Sequence, residues 1–356
     1  MIRLYSICFV LPKSEHLATG GYKIVYEYAN RLVARGYQVS VLYLNSRYLK
    51  RYPLPRLIKK LYFQIVTRRE PVWFALDHRV KKISNYSAKA VHKALSADVA
   101  IATAVATAPV VKKMFLSPRK AYLIQGYEVW NRSEDYVHRT YALGLKNIAV
   151  SSWLKRIVDR YAKSPAALLP NPIDLSVYSV RIPLRERLAH SLAVLYNPNP
   201  CKGFEDALQV LLRLRKRYGD LKVHVFGAYP RPAELPSWIE YTENATQQET
   251  VQIYNHASVY LCASREEGFG LTGLEAMACG CALSSTAFEG ALEYGVNEVN
   301  CLFSTPGDVD ALFDNTCRLI ENSSLREQLS GQAQESVKAF SWDRAIERFE
   351  EILIQP

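Results

Sequence analysis

Short runs of consecutive apolar residues alternate along the chain with longer stretches whose apolar positions recur every three or four residues. The first pattern suits strands buried on both faces and the second suits helices that cover them, so their alternation predicts parallel sheets. Strand-like runs fall at 4–11, 38–44, 98–103, 121–124, 147–150 and 167–169, with a helix predicted over 22–35. A second series begins at 192–196 and continues as helix 205–219, strand 221–227, helix 249–256, strand 258–264, a further helix and strand 281–285. Between the two series, 170–183 is rich in Pro and Asn and has no long periodic run, which predicts a hinge there. The pattern therefore predicts an α/β chain of two doubly wound, Rossmann-like domains. No repeat of solenoid period and no low-complexity segment interrupts it.

At 356 residues the chain is too long for one compact core, in keeping with two domains. With 49% hydrophobic and 22% charged residues the composition is globular. The opening apolar run meets Pro12 and Lys13 before it could span a bilayer and carries no cleavage-like site, so it reads as a first strand. Seven cysteines, an odd number without a C-x-x-C pair, are expected to be reduced core thiols of a cytoplasmic protein.

Charge changes the picture because it is uneven. Residues 1–175 hold 29 Lys and Arg against 10 Asp and Glu, a balance of +19, whereas the remainder holds 16 against 24. The densest part, 47–69, has eight basic residues, no acidic one, and Tyr48, Tyr52, Tyr62 and Phe63 among them. Such a segment is expected to associate peripherally with anionic membrane at the cytoplasmic face. A nucleic acid is not the expected partner, since no recognisable binding module surrounds it.

The clearest chemistry lies at 264–280, SREEGFGLTGLEAMACG. Glu267 and Glu275 stand eight residues apart, and between them Gly268, Phe269 and Gly270 lead into a strong helix former. A strand, a tight turn and a helix N-terminus can receive a phosphate on open backbone amides at Gly270, Leu271 and Thr272. Glu275, about one turn in, is placed to accept hydrogen bonds from a ribose diol, and Glu267 lies beside whatever the phosphate carries. The layout suits a nucleotide sugar.

These residues resemble the EX7E signature of retaining glycosyltransferases of the group 1, or family 4, type. The resemblance implies a GT-B fold, with a cleft between the two domains and a C-terminal helix crossing back. It implies domains at 1–175 (acceptor-binding) and 176–340 (nucleotide-sugar-binding), with 341–356 as the returning helix. Gly20 and Gly21 match a glycine pair of that family between the first strand and first helix. Lys202, in NPNPCKGF, is similar to the lysine that neutralises the donor diphosphate. An Arg usual five residues earlier is Asn197 here, and Arg265 is a candidate to replace its charge. Gly227 begins a loop whose backbone serves base recognition in this fold.

After strand 121–124 comes QGYEVW, where many relatives carry a His; Gln125 takes that place, with Glu128 after it. The pattern resembles a subset that includes bacterial rhamnosyltransferases. Gln125 can position an acceptor hydroxyl but cannot act as a base. Glu128 could position one or deprotonate it. The expected function is metal-independent transfer of a sugar from a nucleoside-diphosphate sugar to a glycan or lipid-linked acceptor, with retention and no cofactor. The alternatives are a sugar-nucleotide epimerase of the same fold and a non-catalytic, membrane-docked subunit. No G-x-G-x-x-G follows the first strand, which disfavours a dinucleotide oxidoreductase.

Overall fold

The computed structural model describes residues 5–45, 55–86, 88–130 and 132–354. The chain forms two compact units, one of Met1–Pro170 with Ala345–Pro356 and one of Asn171–Arg344.

In the first unit, β1 (Ser6–Leu11), α1 (Gly20–Ala34), β2 (Gln38–Tyr43), α2 (Arg56–Arg69), β3 (Lys81–Ser84) and α3 (Ala88–Leu95) are followed by β4 (Val99–Ala102). Then come α4 (Ala108–Met114), β5 (Arg119–Ile124), α5 (Glu134–Tyr141), β6 (Lys146–Ala149), α6 (Ser152–Tyr161) and β7 (Ala167–Leu168). All pairings are parallel and the order is β3-β2-β1-β4-β5-β6-β7, so the winding reverses between β1 and β4. Central strand β1 is sealed by both neighbours: Ile7, Cys8, Phe9 and Val10 are wholly buried. In parallel open sheets such a reversal leaves a crevice beyond the carboxyl ends of the strands, where ligands bind.

The second unit repeats the plan. Its elements are β8 (Ser191–Tyr196), α7 (Phe204–Arg217), β9 (Lys222–Gly227), β10 (Glu240–Glu243), α8 (Gln247–His256), β11 (Val259–Cys262) and α9 (Leu271–Ala278). β12 (Ala282–Thr286), β13 (Leu302–Ser304), α10 (Val309–Glu321) and α11 (Ser323–Val337) complete it, and α12 (Trp342–Leu353) follows. The parallel order β10-β9-β8-β11-β12-β13 reverses between β8 and β11. Strands β3, β10 and β13 go beyond the sequence expectation. Each is a sheet edge, where one side meets solvent and no continuous apolar run is required.

The units divide at Pro170, earlier than the boundary at 175 expected from sequence. The Ile173 amide donates to the Phe340 carbonyl at 2.8 Å and Ile173 bridges to Ser341, which holds 171–175 in the second unit. The return likewise begins at Ala345 and not at 341. From there α12 packs on the first unit: Phe349 stacks on Tyr28 at 5.1 Å and lies 6.3 Å from Phe9. Glu350 accepts hydrogen bonds from Arg35 Nη1 at 2.8 Å and the Tyr37 hydroxyl at 3.0 Å. The seven cysteines are free thiols, six of them buried, and burial pushes the Cys8 thiol up to about 12. Among the described residues no helix is long and apolar enough to cross a membrane.

Phe349 is 1% exposed and contacts the aromatic core of the first unit, so Phe349→Ala should cost about 3 to 5 kcal/mol, as large-to-small core changes do. Chemical denaturation followed by tryptophan fluorescence measures this. A loss below about 1 kcal/mol would show that the terminal helix adds little to the unit.

Candidate functional site

In the second unit the loops leaving β8 and β11 are fastened to each other. After β8, the Asn197 side chain accepts from the Asn199 amide at 2.9 Å and the Asn199 side chain from the Cys201 amide at 3.0 Å, setting one 3-10 turn over Pro200–Lys202. Gly203 follows at φ +60°, where a Cβ would sit 1.9 Å from the Ala263 carbonyl oxygen. Only glycine permits that approach. The Arg265 and Glu266 amides donate to the Cys201 carbonyl at 2.7 and 3.3 Å, which locks the two loops together. The result places Lys202 Nζ 2.8 Å from Glu267 Oε2, while the Ser264 hydroxyl donates to Glu267 Oε1 at 2.6 Å.

Beyond Glu267 the chain turns through Gly270 at φ +88° into α9. A Cβ at Gly270 would meet the Phe288 ring at 2.6 Å, and the Tyr294 hydroxyl donates to the Gly270 carbonyl at 2.9 Å. No side chain caps α9 and no acidic residue lies in its first turn, so its leading amides, at half-buried Leu271 and Thr272, can receive an anion. Lys202, Ser264 and Thr272 share one small cavity with Leu195. Glu275, one turn into the helix, is 6% exposed and accepts from the Tyr254 hydroxyl at 3.4 Å.

Phe269, Arg265 and Gly227, also expected at this site, each have a structural role of their own. Phe269 is 3% exposed and packs on Tyr294 and Phe340, at 5.6 and 5.9 Å, so its side chain is core and only its backbone remains for a ligand. Arg265 gives Nε and Nη2 to the buried Asp206 carboxylate at 2.9–3.0 Å, so most of its charge is already answered. Gly227 ends β9, where a Cβ would lie 2.5 Å from the Tyr196 carbonyl, so close strand packing accounts for the glycine. Sequence reasoning missed Ser264, Asp206, Tyr254 and Tyr294. Ser264, at the mouth of β11 within the motif, was the one with a local signal; the others come from distant segments.

In the first unit, Gly20 and Gly21 open α1, whose N-cap Thr19 makes no side-chain cap and whose first turn has no acidic residue. The Gln125 side chain lies against Gly21, 3.4 Å from where a Cβ would be, and its Oε1 is buried without a hydrogen-bond partner. Glu128 Oε1 accepts from the Val105 amide at 3.0 Å. Gly21 and Val105 follow β1 and β4, the strands on either side of the reversal of the first sheet, and Gln125 and Glu128 follow β5, the next strand. Burial raises the Glu128 carboxyl to about 7, opposed by the Val105 amide.

Comparison with known proteins agrees with this architecture. The fold is GT-B: the sucrose-phosphate synthase of Thermosynechococcus elongatus superposes with a TM-score of 0.74 at 15% identity, covering 98% of both chains. Anabaena HepE, solved with UDP-glucose, has a TM-score of 0.73 at 14% identity and also covers 98% of both. A mutant of S. aureus TarM, solved with Fondaparinux, alpha-GlcNAc-glycerol and UDP, has a TM-score of 0.73 at 11% identity, covering 98% of this chain and 99% of that one. Residues 186–322, within the second unit, match the family model for glycosyl transferases group 1. Among curated proteins, the O-antigen chain mannosyltransferase B of Escherichia coli is 30% identical over 30% of this chain and 27% of its own length. The 2-deoxystreptamine N-acetyl-D-glucosaminyltransferase of Niallia circulans is 24% identical over 57% of this chain and 59% of its own. The aligned chain thus spans less than two thirds of either relative.

Glu128 generates a stability prediction. Its folded pKa of about 7 lies above the ordinary glutamate value, so its contribution is complete below about pH 4, falls as pH rises, and is lost above 7. Glu128→Gln cannot ionise and keeps an oxygen for the Val105 amide. Parent minus variant stability should therefore fall by roughly 2 to 3 kcal/mol between pH 4 and pH 8. Parallel denaturation curves at the two pH values would contradict a raised carboxyl.

Proposed function

We propose that the protein is a glycosyltransferase that moves a sugar from a nucleoside-diphosphate sugar to a saccharide or lipid-linked glycan acceptor, with retention of anomeric configuration. The observation that carries this is the convergence of Lys202, Ser264 and Glu267 on the open N-terminus of α9. The donor diphosphate would lie on the Gly270–Thr272 amides beside Lys202. Glu267 would accept hydrogen bonds from sugar hydroxyls and Glu275 from the ribose diol. As the bond to the diphosphate breaks, negative charge grows on the phosphate, and Lys202 with the α9 amides stabilises it without a metal ion. Because Asp206 already engages Arg265, Lys202 and the helix carry most of that task. Gly20, Gly21, Gln125 and Glu128 would serve the acceptor and the sugar from the first unit.

The mannosyl- and N-acetylglucosaminyltransferase relatives and the UDP-glucose complex of HepE support a sugar-nucleotide donor and a role in polysaccharide assembly. A donor-only incubation followed by NMR separates transfer from epimerisation, since an epimerase converts donor without an acceptor. Product unchanged by EDTA supports the metal-free route.

Of the basic stretch 47–69, residues 47–54, including Arg47, Lys50 and Arg51, lie outside the described residues. The remainder is α2, which exposes Leu57, Ile58, Leu61, Tyr62 and Ile65 by 46–78% on a helix bearing Lys59, Lys60, Arg68 and Arg69. Apolar side chains among cations favour peripheral binding to an anionic bilayer surface on the cytoplasmic side.

If Glu275 holds the ribose, Glu275→Ala should weaken nucleoside diphosphate and donor alike by roughly 2 to 4 kcal/mol in calorimetry. Glu267→Ala should leave nucleoside-diphosphate affinity nearly intact and lower turnover about 100-fold or more. Loss of both properties in a folded Glu267 variant would reverse the assignment. Cosedimentation with anionic vesicles should occur at low salt and fall when Lys59 and Lys60, with Arg47, Lys50 and Arg51, become Gln. Unaltered sedimentation of that variant would refute the membrane reading.

A further inference from the structure

The turn between α4 and β5 of the first unit holds apolar side chains out where the pattern calls for polar ones. Beyond Met114 the backbone is extended, so side chains alternate between core and solvent. Phe115 is 2% exposed and Ser117 is buried, whereas Met114 and Leu116 are 50% and 78% exposed. The Leu116 amide donates to the Leu95 carbonyl at 2.8 Å, which ties the turn to the end of α3. The outward positions of an extended segment with one face in solvent are ordinarily polar. Phe115 anchors this turn, but Met114 and Leu116 stay outside the core it joins.

Cations surround the pair. Residues 78–127 hold nine Lys and Arg against one acid, Asp98, whose carboxylate accepts from the Ser6 amide and hydroxyl at 2.9 and 2.8 Å. Lys112 and Lys113 lie in the last turn of α4, Lys93 in that of α3, and Lys120 and Lys146 at the starts of β5 and β6. Lys120 Nζ donates to the Lys112 carbonyl at 3.4 Å, and Lys112 Nζ lies 3.7 Å from where a Cβ of Gly144 would be, so these starts and ends meet. In a parallel sheet, helix ends and strand starts share one edge, here the edge opposite Gly21, Gln125 and Glu128. The end of α2 reaches that edge too, where Lys82 of β3 donates to the Glu70 carbonyl at 2.8 Å. Cations in a last helical turn complement the helix dipole, which accounts for Lys93, Lys112 and Lys113 but not for two apolar side chains held out among them.

We propose that this amino-terminal edge of the first sheet is a docking surface for an anionic bilayer, with Met114 and Leu116 entering the boundary between headgroups and acyl chains. Lys93, Lys112, Lys113, Lys120 and Lys146 form no ion pair among the described residues, and their long stems let the ammonium groups reach lipid phosphates around the inserted pair. The surface is separate from the 47–69 stretch and does not depend on the reaction assigned to the protein. A nucleic acid would use the cations but has no use for the two apolar side chains, because contacts to its backbone are charged and polar. A bilayer surface uses both. Docking here leaves the crevice at the carboxyl ends of the first sheet's strands uncovered.

Cosedimentation with vesicles of phosphatidylcholine and phosphatidylglycerol at low salt tests this. Met114→Ser combined with Leu116→Ser, both at exposed positions, should lower the partition coefficient by about tenfold or more. Lys112→Gln, Lys113→Gln and Lys120→Gln together should lower it similarly and flatten its dependence on salt. A partition of the Met114 and Leu116 variant within about twofold of the parent overturns the proposal, as does a parent that stays in the supernatant. A second reading needs no loss of binding: the fluorescence that Leu116→Trp adds should be quenched by lipids brominated in their acyl chains. Quenching no greater than the parent's own overturns insertion. A short RNA duplex that the parent binds and the lysine variant releases, with vesicle binding the same in parent and both variants, overturns the proposal and assigns the edge to nucleic acid.

Discussion

The close approach of Gly203 to the Ala263 carbonyl is the constraint on which the second unit's site depends. With a Cβ position 1.9 Å from that oxygen, any side chain would force the loops after β8 and β11 apart. Their separation would remove the Cys201 carbonyl from the Arg265 and Glu266 amides and carry Lys202 away from Glu267. A lysine and a glutamate 65 positions apart in sequence thus form a 2.8 Å pair because a glycine in the loop after one strand lets backbone touch backbone in the loop after another.

That pair also sets the electrostatics of the site. Lys202 answers Glu267 and Arg265 answers Asp206, so the cluster is close to neutral before a ligand arrives. On the proposed function, an incoming diphosphate would find ordered dipoles at α9 and a lysine already held in place, rather than an excess of free cations. The cost of ordering a long, flexible side chain is met during folding, which is the physical content of preorganisation. Gly270 contributes in the same way: its left-handed backbone and the Tyr294 hydroxyl fix where the helix begins.

The first unit has the same architecture with different side chains at its reversal. Both sheets reverse beside their first strand, and in both the reversal collects loops from non-adjacent parts of the chain. In the second unit those loops bring paired charges and open amides. In the first they bring a glycine-led helix, an amide and a carboxyl that forms no ion pair among the described residues. The difference lies in which side chains the loops carry, since the frames are alike.

Much of this was legible in the chain. Buried strands such as β1, β8 and β11 announce themselves because a strand covered on both faces must be apolar throughout, and the glycines, Lys202, Glu267 and Glu275 stand in local patterns whose chemistry is readable. What the sequence could not show is anything that depends on neighbours far along the chain. Edge strands β3 and β10 carry polar residues because one side is exposed. Phe269 looks like part of a binding loop until the core formed with Tyr294 and Phe340 claims it. Arg265 looks like a spare phosphate cation until Asp206 from α7 binds it. Glu128 looks like one acid among many until burial raises its pKa. Residue type and spacing determine what a group can do, but burial and partners decide what it does, and both are properties of the packed fold.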